Sequence, residues 1–327
     1  MQPACTINEA VSALRDGDVV AIPTETVYGL GADASNPTAV KKIFALKGRP
    51  ADHPLIVHLY DAEQLPRWAE VIPPAARQLS AAFWPGPLTM ILKKTAAVPL
   101  EVTGGLETVG LRVPSHPVAR ELLKQFGGGV AAPSANRFGR VSPTTAAHVR
   151  EEFGEELPLI LDGGACEVGV ESTIVDLSGD SPAILRHGGI TQEELEATLR
   201  QAVPFRAAGS VRAPGTLAAH YAPRAKVVLC APGEMEARVR TLAARRLAVA
   251  VLSWERPQVD VQYNFVELPR DAAGLARGLY AALRKADELE CDAALVAMPE
   301  SAGLGAAVRD RLMRAAAAGG VDEADAG

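Results

Sequence analysis

The chain has 327 residues, 48% of them hydrophobic and 22% charged, with a formal net charge of −6. That length suggests about two domains at ~100–200 residues each, and that composition supports a packed core and excludes global disorder. The acidic balance argues against a protein that coats nucleic acid by bulk charge, while a local basic pocket stays open. No apolar stretch reaches the ~18 residues of a membrane helix. The N-terminus carries Glu9, Asp16 and Asp18 and has no apolar core of a secretory signal. Cys5, Cys166, Cys230 and Cys291 form no CxxC, so they read as buried thiols of a cytoplasmic protein, and no metal-ligand spacing is present.

The predicted elements follow in chain order. DVVAIPT is a strand that runs into a turn at ETVYGLG, where Gly29 and Gly31 allow close backbone approach. PTAVKKIFALK is a helix, with Pro37 in its first turn and Gly48 as its stop. PLIVHLY is a strand with Leu55, Val57 and Leu59 on one face and Ile56, His58 and Tyr60 on the other. LTMILKK, TVGLRVP, GVAAPS, LPLILDG, STIVDLS and AILRHG are further strands. HPVARELLKQFG and TTAAHVREEFG are helices between them, and TQEELEATLRQA opens with a Thr191–Glu194 capping box. Neighbouring strands without intervening helices point to a mixed sheet in an α/β domain.

Composition shifts near residue 207. Residues 1–207 hold 18 Lys and Arg against 24 Asp and Glu, whereas residues 208–225 hold two Arg and no acid. The Gly-, Pro- and Ala-rich 208–225 stretch reads as an interdomain linker. Residues 226–318 alternate strand and helix: KVVLCAP, EMEARVRTLAARR, LAVAVLS, QYNFVELP, AAGLARGLYAALRKADEL, CDAALVAMP and GLGAAVRDRLMRAAAA. That alternation predicts a smaller Rossmann-like α/β domain. Residues 319–327 are polar and read as a disordered tail.

GxxxxGK[ST], complete GxGxxG and GxSxG are all missing, which leaves a P-loop NTPase, a dinucleotide fingerprint and a serine hydrolase unsupported. What stands out is a set of polar residues at the ends of apolar strands, where α/β sheets collect ligands. Thr24, Glu25, Thr26 and Tyr28 follow the first strand. Lys47 and Arg49 flank one glycine at a helix end, and His53 precedes the next strand. The two cations suit phosphate oxygens; capping of the helix C-terminus explains them equally well. Arg112 inside an apolar strand needs an anionic partner, either a structural carboxylate or a ligand carboxylate. Ser134, Asn136 and Ser142 lie in a post-strand loop and suit phosphate or ribose, or simply a turn. Glu171, Ser172 and Thr173 start a strand; Arg186 and His187 end one.

PTETVYGLG, KGRP with HPLIVH, GLRVP, APSAN, VSPT, ESTIVD and LRHG, in this order and spacing, resemble the YrdC-like threonylcarbamoyl-AMP synthases. APGTLAAHYAPRA is similar to the linker of their longer, two-domain members, though it departs from that form at Leu217, Ala218 and Ala219. The resemblance implies that L-threonine, bicarbonate or carbon dioxide, and ATP give threonylcarbamoyl-AMP and pyrophosphate. It implies threonine near Thr26, His58, Arg112, Ala132 and Ser172. It implies ATP near Lys47, Arg49, His53, Thr108, Ser134, Asn136, Ser142 and Arg186, with Tyr221 reaching over the nucleotide and Lys47 and Arg49 as the catalytic cations. It implies Mg2+ arriving with ATP and bound mostly by phosphate and water. It also implies downstream tRNA threonylcarbamoyl transferase proteins as partners. An RNA-binding module acting in tRNA or rRNA maturation is the alternative class. The net charge and the missing RNA-recognition aromatics weigh against binding to tRNA or double-stranded RNA.

Overall fold

The computed structural model describes residues 4–206, 213–215, 219–231 and 233–319. Two compact units emerge. The expected linker divides between them: Ala213–Gly215 go with the first, and Ala219 onward with the second, which also takes in Gly139–Val141. Arg212 and the tail from residue 320 lie outside the described residues.

The first unit is built on eight strands: β1 (Val20–Ile22), β2 (Gly29–Asp33), β3 (Ile56–His58), β4 (Leu88–Lys93), β5 (Thr108–Arg112), β6 (Val130–Ala131), β7 (Thr173–Asp176) and β8 (Ala183–Arg186). Their order is β1-β2-β6-β3-β5-β4-β7-β8. The β3–β5 and β4–β7 pairs are parallel and the others antiparallel, so the sheet is mixed as expected.

Alternation along the strands explains where a site can sit. One set of side chains, including Leu55, Val57, Met90, Leu92, Leu111 and Val175, joins a single large core. The helix Pro37–Lys47 contributes Ala39, Val40, Ile43 and Phe44 to it. On the opposite face, Val20, Ile22, Val130 and Ala132 pack with Leu14 of the helix Ile7–Arg15 and Leu122 of the helix Pro117–Phe126. Further along that face only Ile56, Ile91, Ile174 and Leu185 form a small cluster, closed by Ala213. Gly110 lies opposite Ile56 and Ile91 in register and offers no side chain there. A narrow cleft remains, lined by Ile56, Thr89, Thr108, Gly110, Ile174 and Pro214. The stretch of that face beyond the two helices is therefore the place for ligand-binding groups.

Several expectations change. ETVYGLG is not only a turn: Gly29–Asp33 is strand β2, antiparallel to β1. A Cβ on Gly31 would stand 2.9 Å from the Val130 side chain, so this glycine serves strand packing. LPLILDG forms no full strand; it contributes the single bridge Ala21–Ile160. Helices at Ile7–Arg15 and Pro74–Phe83 were not expected. The first carries the capping box Thr6–Glu9, the same device as Thr191–Glu194 before the helix Gln192–Leu199.

The second unit has four parallel strands: β9 (Lys226–Cys230), β10 (Val249–Ser253), β11 (Asn264–Glu267) and β12 (Ala293–Ala297). Their order is β11-β10-β12-β9, with the helices Met235–Ala244, Ala272–Glu288 and Leu304–Ala318 between or after them. This is the doubly wound pattern read from the alternation.

Candidate active site

Arg112 ends β5 directly opposite His58 at the end of β3, so both side chains share the open face. The guanidinium is 3% exposed. Its Nη1 donates to Thr26 Oγ1 at 2.9 Å and its Nε to the Gly86 carbonyl at 3.3 Å. Its Nη2 lies 2.8 Å from Glu25 Oε1 in a buried ion pair. The structural carboxylate that Arg112 required is thus Glu25. Glu25 Oε2 accepts from the Ser115 amide at 3.1 Å. Thr24 shapes this loop: its hydroxyl donates to the Val27 carbonyl at 2.6 Å and accepts from the Thr26 and Val27 amides at 3.2 Å each. Tyr28 is fully buried and anchors the 163–164 turn, donating to the Gly164 carbonyl at 2.8 Å and accepting from the Gly163 amide at 3.1 Å.

His58 is buried although it faces away from the Leu55–Val57–Leu59 side. Burial, and next the Arg112 charge, push its imidazole down to about 3, against opposing backbone bonds from Val130 and Ile56. It is a neutral ring at physiological pH. Cys166 nearby is pushed up to about 12, by burial first and then by the Glu25 charge, so it is an unreactive thiol.

A second cluster joins β4, β7 and β8. Ser172 shares a 2.8 Å hydroxyl–hydroxyl bond with Thr89. Arg186 donates through Nε and Nη2 to the Ser172 carbonyl at 3.1 and 2.9 Å, and through Nη2 to Ser172 Oγ at 3.1 Å. Its Nη1 donates to the Pro214 carbonyl at 2.9 Å. Ala132 belongs to the neighbouring stretch, its amide bonded to the Ile56 carbonyl at 2.9 Å.

The third cluster surrounds Lys47. The helix Pro37–Lys47 starts with Asn36 capping the amides of Thr38 and Ala39 and stops at Gly48, whose φ of 61° suits glycine. Lys47 is 3% exposed, and its Nζ donates to the Ser134 and Asn136 carbonyls at 2.5 Å each. Burial, and next the Arg49 charge, hold its ammonium well below the usual lysine range. The lysine therefore clamps the Ser134–Asn136 loop and does more than cap its own helix. Arg49 Nη2 donates to the Pro54 carbonyl at 2.9 Å, and the His53 ring lies 5.5 Å from that of Phe138. Ser142 Oγ donates to Glu171 Oε1 at 2.7 Å, both groups buried. Thr108 opens β5 at the narrow cleft.

The first unit thus holds Thr26, Lys47, Arg49, His53, His58, Thr108, Arg112, Ala132, Ser134, Asn136, Ser142, Ser172 and Arg186. Tyr221 falls in the second unit. There its ring is 1% exposed, stacked 5.7 Å from Tyr280 and 5.2 Å from the Arg311 guanidinium. Glu25, Glu171 and Thr89 join these clusters as well, each through a partner far away in the sequence. Among the described residues no group of three His, Cys, Asp or Glu could hold a metal, and no helix is long and apolar enough to cross a membrane.

A Sua5/YciO/YrdC family model, described as telomere recombination, matches residues 12–188. A second, described as threonylcarbamoyl-AMP synthase, C-terminal domain, matches residues 190–317. The chain is 41% identical over 320 residues to the threonylcarbamoyl-AMP synthase of Pyrococcus abyssi, covering 94% of this chain and 93% of the relative. It is 41% identical to that of Bacillus subtilis, covering 95% and 92%. Among solved structures, P. abyssi Sua5 complexed with L-threonine matches with a TM-score of 0.90 at 40% identity, covering 96% of this chain and 94% of that one.

Proposed function

The chain belongs to the Sua5/YciO/YrdC family, and on that footing we propose that it is an L-threonylcarbamoyladenylate synthase, a nucleotidyltransferase. It joins L-threonine, bicarbonate or carbon dioxide, and ATP into threonylcarbamoyl-AMP, releasing pyrophosphate. The observation that carries this reading is the buried Arg112 on the open sheet face, beside Thr26, neutral His58 and the Ser172–Arg186 cluster. Such a group of fixed donors suits an amino-acid carboxylate and hydroxyl.

The chemistry calls on positioning more than on a protein nucleophile. Threonine's amine, once it has released the ammonium proton, adds to carbon dioxide and loses a second proton to solvent to give a carbamate, and a carbamate oxygen attacks the α-phosphorus of ATP as pyrophosphate leaves. Lys47, Arg49 and Arg186 supply donors aimed at phosphate charge, already held by carbonyls before ligand arrives. Arg112 holds the acceptor substrate in place, which lowers the entropic barrier. Mg2+ fits as a companion of ATP. Among the described residues no group of three His, Cys, Asp or Glu would cage a metal; Glu171, bonded by Ser142, is a carboxylate that could meet it, and a phosphate-bound magnesium keeps most of its waters. When bound it would neutralise charge on the phosphates. The product serves downstream proteins that move the threonylcarbamoyl group onto tRNA.

The test is to mix the protein with ATP, L-threonine and bicarbonate and to follow pyrophosphate, omitting each substrate in turn. Pyrophosphate and an AMP adduct should appear only in the full mixture. Threonine-dependent release of ADP and orthophosphate as primary products would overturn the reading.

A further inference from the structure

We propose that Glu25 is the subsite for the substrate's α-ammonium group and selects a zwitterion over a 2-hydroxy acid, an inference that rests on the amino-acid reading of the Arg112 site.

The geometry is specific. Glu25 and Arg112 are 3% exposed each, and Oε1 and Nη2 face each other at 2.8 Å. Their charges balance, yet neither of these two atoms has a hydrogen-bond partner. Every other polar atom of the pair with a recorded contact is directed at a defined partner: Nη1 at Thr26, Nε at Gly86, Oε2 at the Ser115 amide. One donor and one acceptor, side by side and buried, are left without aligned bonds. Leaving buried polar groups in that state is costly, and native proteins reserve it for functional places.

An amino-acid zwitterion supplies what is missing. Its carboxylate accepts from Arg112 Nη2, and its ammonium donates to Glu25 Oε1. The net charge of the site stays at zero before and after binding, so no uncompensated charge is buried. A 2-hydroxy acid anion would bring a carboxylate with no ammonium to set against Glu25. It would add one negative charge to a buried neutral pair. Glu25 thereby secures the nitrogen that the carbamate requires. Had the partner of Arg112 been a neutral acceptor, the site would favour any small carboxylate.

The experiment compares two ligands on two proteins by calorimetry: L-threonine and 2,3-dihydroxybutanoate of matching stereochemistry, in which a hydroxyl replaces the amine, on the wild type and on Glu25→Gln. The wild type should bind threonine and discriminate against the dihydroxy acid by more than about tenfold, the value of one charge-assisted bond. In Glu25→Gln that ratio should collapse by about tenfold or more, through weaker threonine binding with the dihydroxy acid held or improved. A residue that only props up Arg112 would weaken both ligands alike and leave the ratio unchanged, and that result overturns the assignment. Failure of the wild type to bind L-threonine would instead strike the amino-acid reading itself. Should Glu25→Gln not fold, Glu25→Asp keeps the charge but withdraws it by one methylene. Its ratio should fall between the two, and an unaltered ratio again overturns the proposal.

Discussion

His58 makes the first unit sensitive to acid in a way that can be calculated. In an unfolded chain an imidazole titrates near 6.5. In the fold, burial and Arg112 push it down to about 3. Between those two values the unfolded chain holds a proton that the folded one refuses. Stability is therefore fully present above about pH 6.5 and is lost as pH falls through this window. The slope is about 1.4 kcal/mol per pH unit for one proton, so going from pH 8 to pH 5 removes about 2 kcal/mol. His58→Gln removes the titrating group and should remove that share of the loss, whatever its effect on stability at pH 8. Urea unfolding at both pH values gives the comparison. A Trp254→Phe background leaves Trp68 and Trp84 to report the first unit alone, which matters because two units need not unfold together. The wild type should lose about 2 kcal/mol more than the variant over that pH interval. Equal losses would refute the neutral, buried imidazole and, with it, the account of how Arg112 shapes its surroundings.

Two further outcomes are expected. Lys47→Met deletes the bonds to the Ser134 and Asn136 carbonyls; each is worth about 1.5–3 kcal/mol, but part is returned because an ammonium no longer has to be buried. The net destabilisation should be about 1–3 kcal/mol in urea unfolding, with ATP affinity down at least about tenfold by calorimetry; unchanged ATP affinity would leave Lys47 a purely structural clamp. Arg311→Met keeps most of the side-chain volume but removes the guanidinium from the Tyr221 ring, and Asp310 retains Arg314 at 2.8 Å. The second unit should lose about 1–2 kcal/mol in thermal unfolding while the first is unaffected, and an undiminished second unit would show that the ring contact contributes nothing.

Local chemistry was legible wherever the deciding atoms were close in sequence. The helix Pro37–Lys47 has its proline, its cap and its glycine stop where the residues place them, and the Thr191–Glu194 box forms as read. The same rule applied to Thr6 and Glu9 would have found the first helix. Strand β2 is not legible because GLGAD has no β-branched residue; Gly31 is dictated by Val130, about a hundred positions away. The alternation of β3 places His58 on the face away from Leu55, Val57 and Leu59, yet that does not leave it exposed: it is buried beside Val130 and the Arg112 charge. In the site, strand-end polar residues were visible as a set. Their partners were not: Glu25 reaches Arg112 across 87 positions and Ser142 reaches Glu171 across 29, and no period in the sequence encodes such pairings.

The two best-defined cations of the site differ in what balances them, and that difference divides the site chemically. Lys47 donates to two neutral carbonyls, with Glu152 acting only as a more distant charge that favours its protonated form. Arg112 is matched at contact distance by a full carboxylate. A protonated Lys47 leaves positive potential over the Ser134–Asn136 loop, and its depressed proton affinity means that an arriving polyanion strengthens the very charge it binds. The Arg112 corner carries no net charge and gains nothing from an anion alone. A triphosphate and a zwitterion placed in this unit therefore have opposite electrostatic preferences, one for each corner. On the proposed assignment, exchange of the two ligands would bury a net negative charge beside Glu25 and leave Lys47 without an anionic partner, a cost set by the protein's own charges before any ligand-specific contact forms.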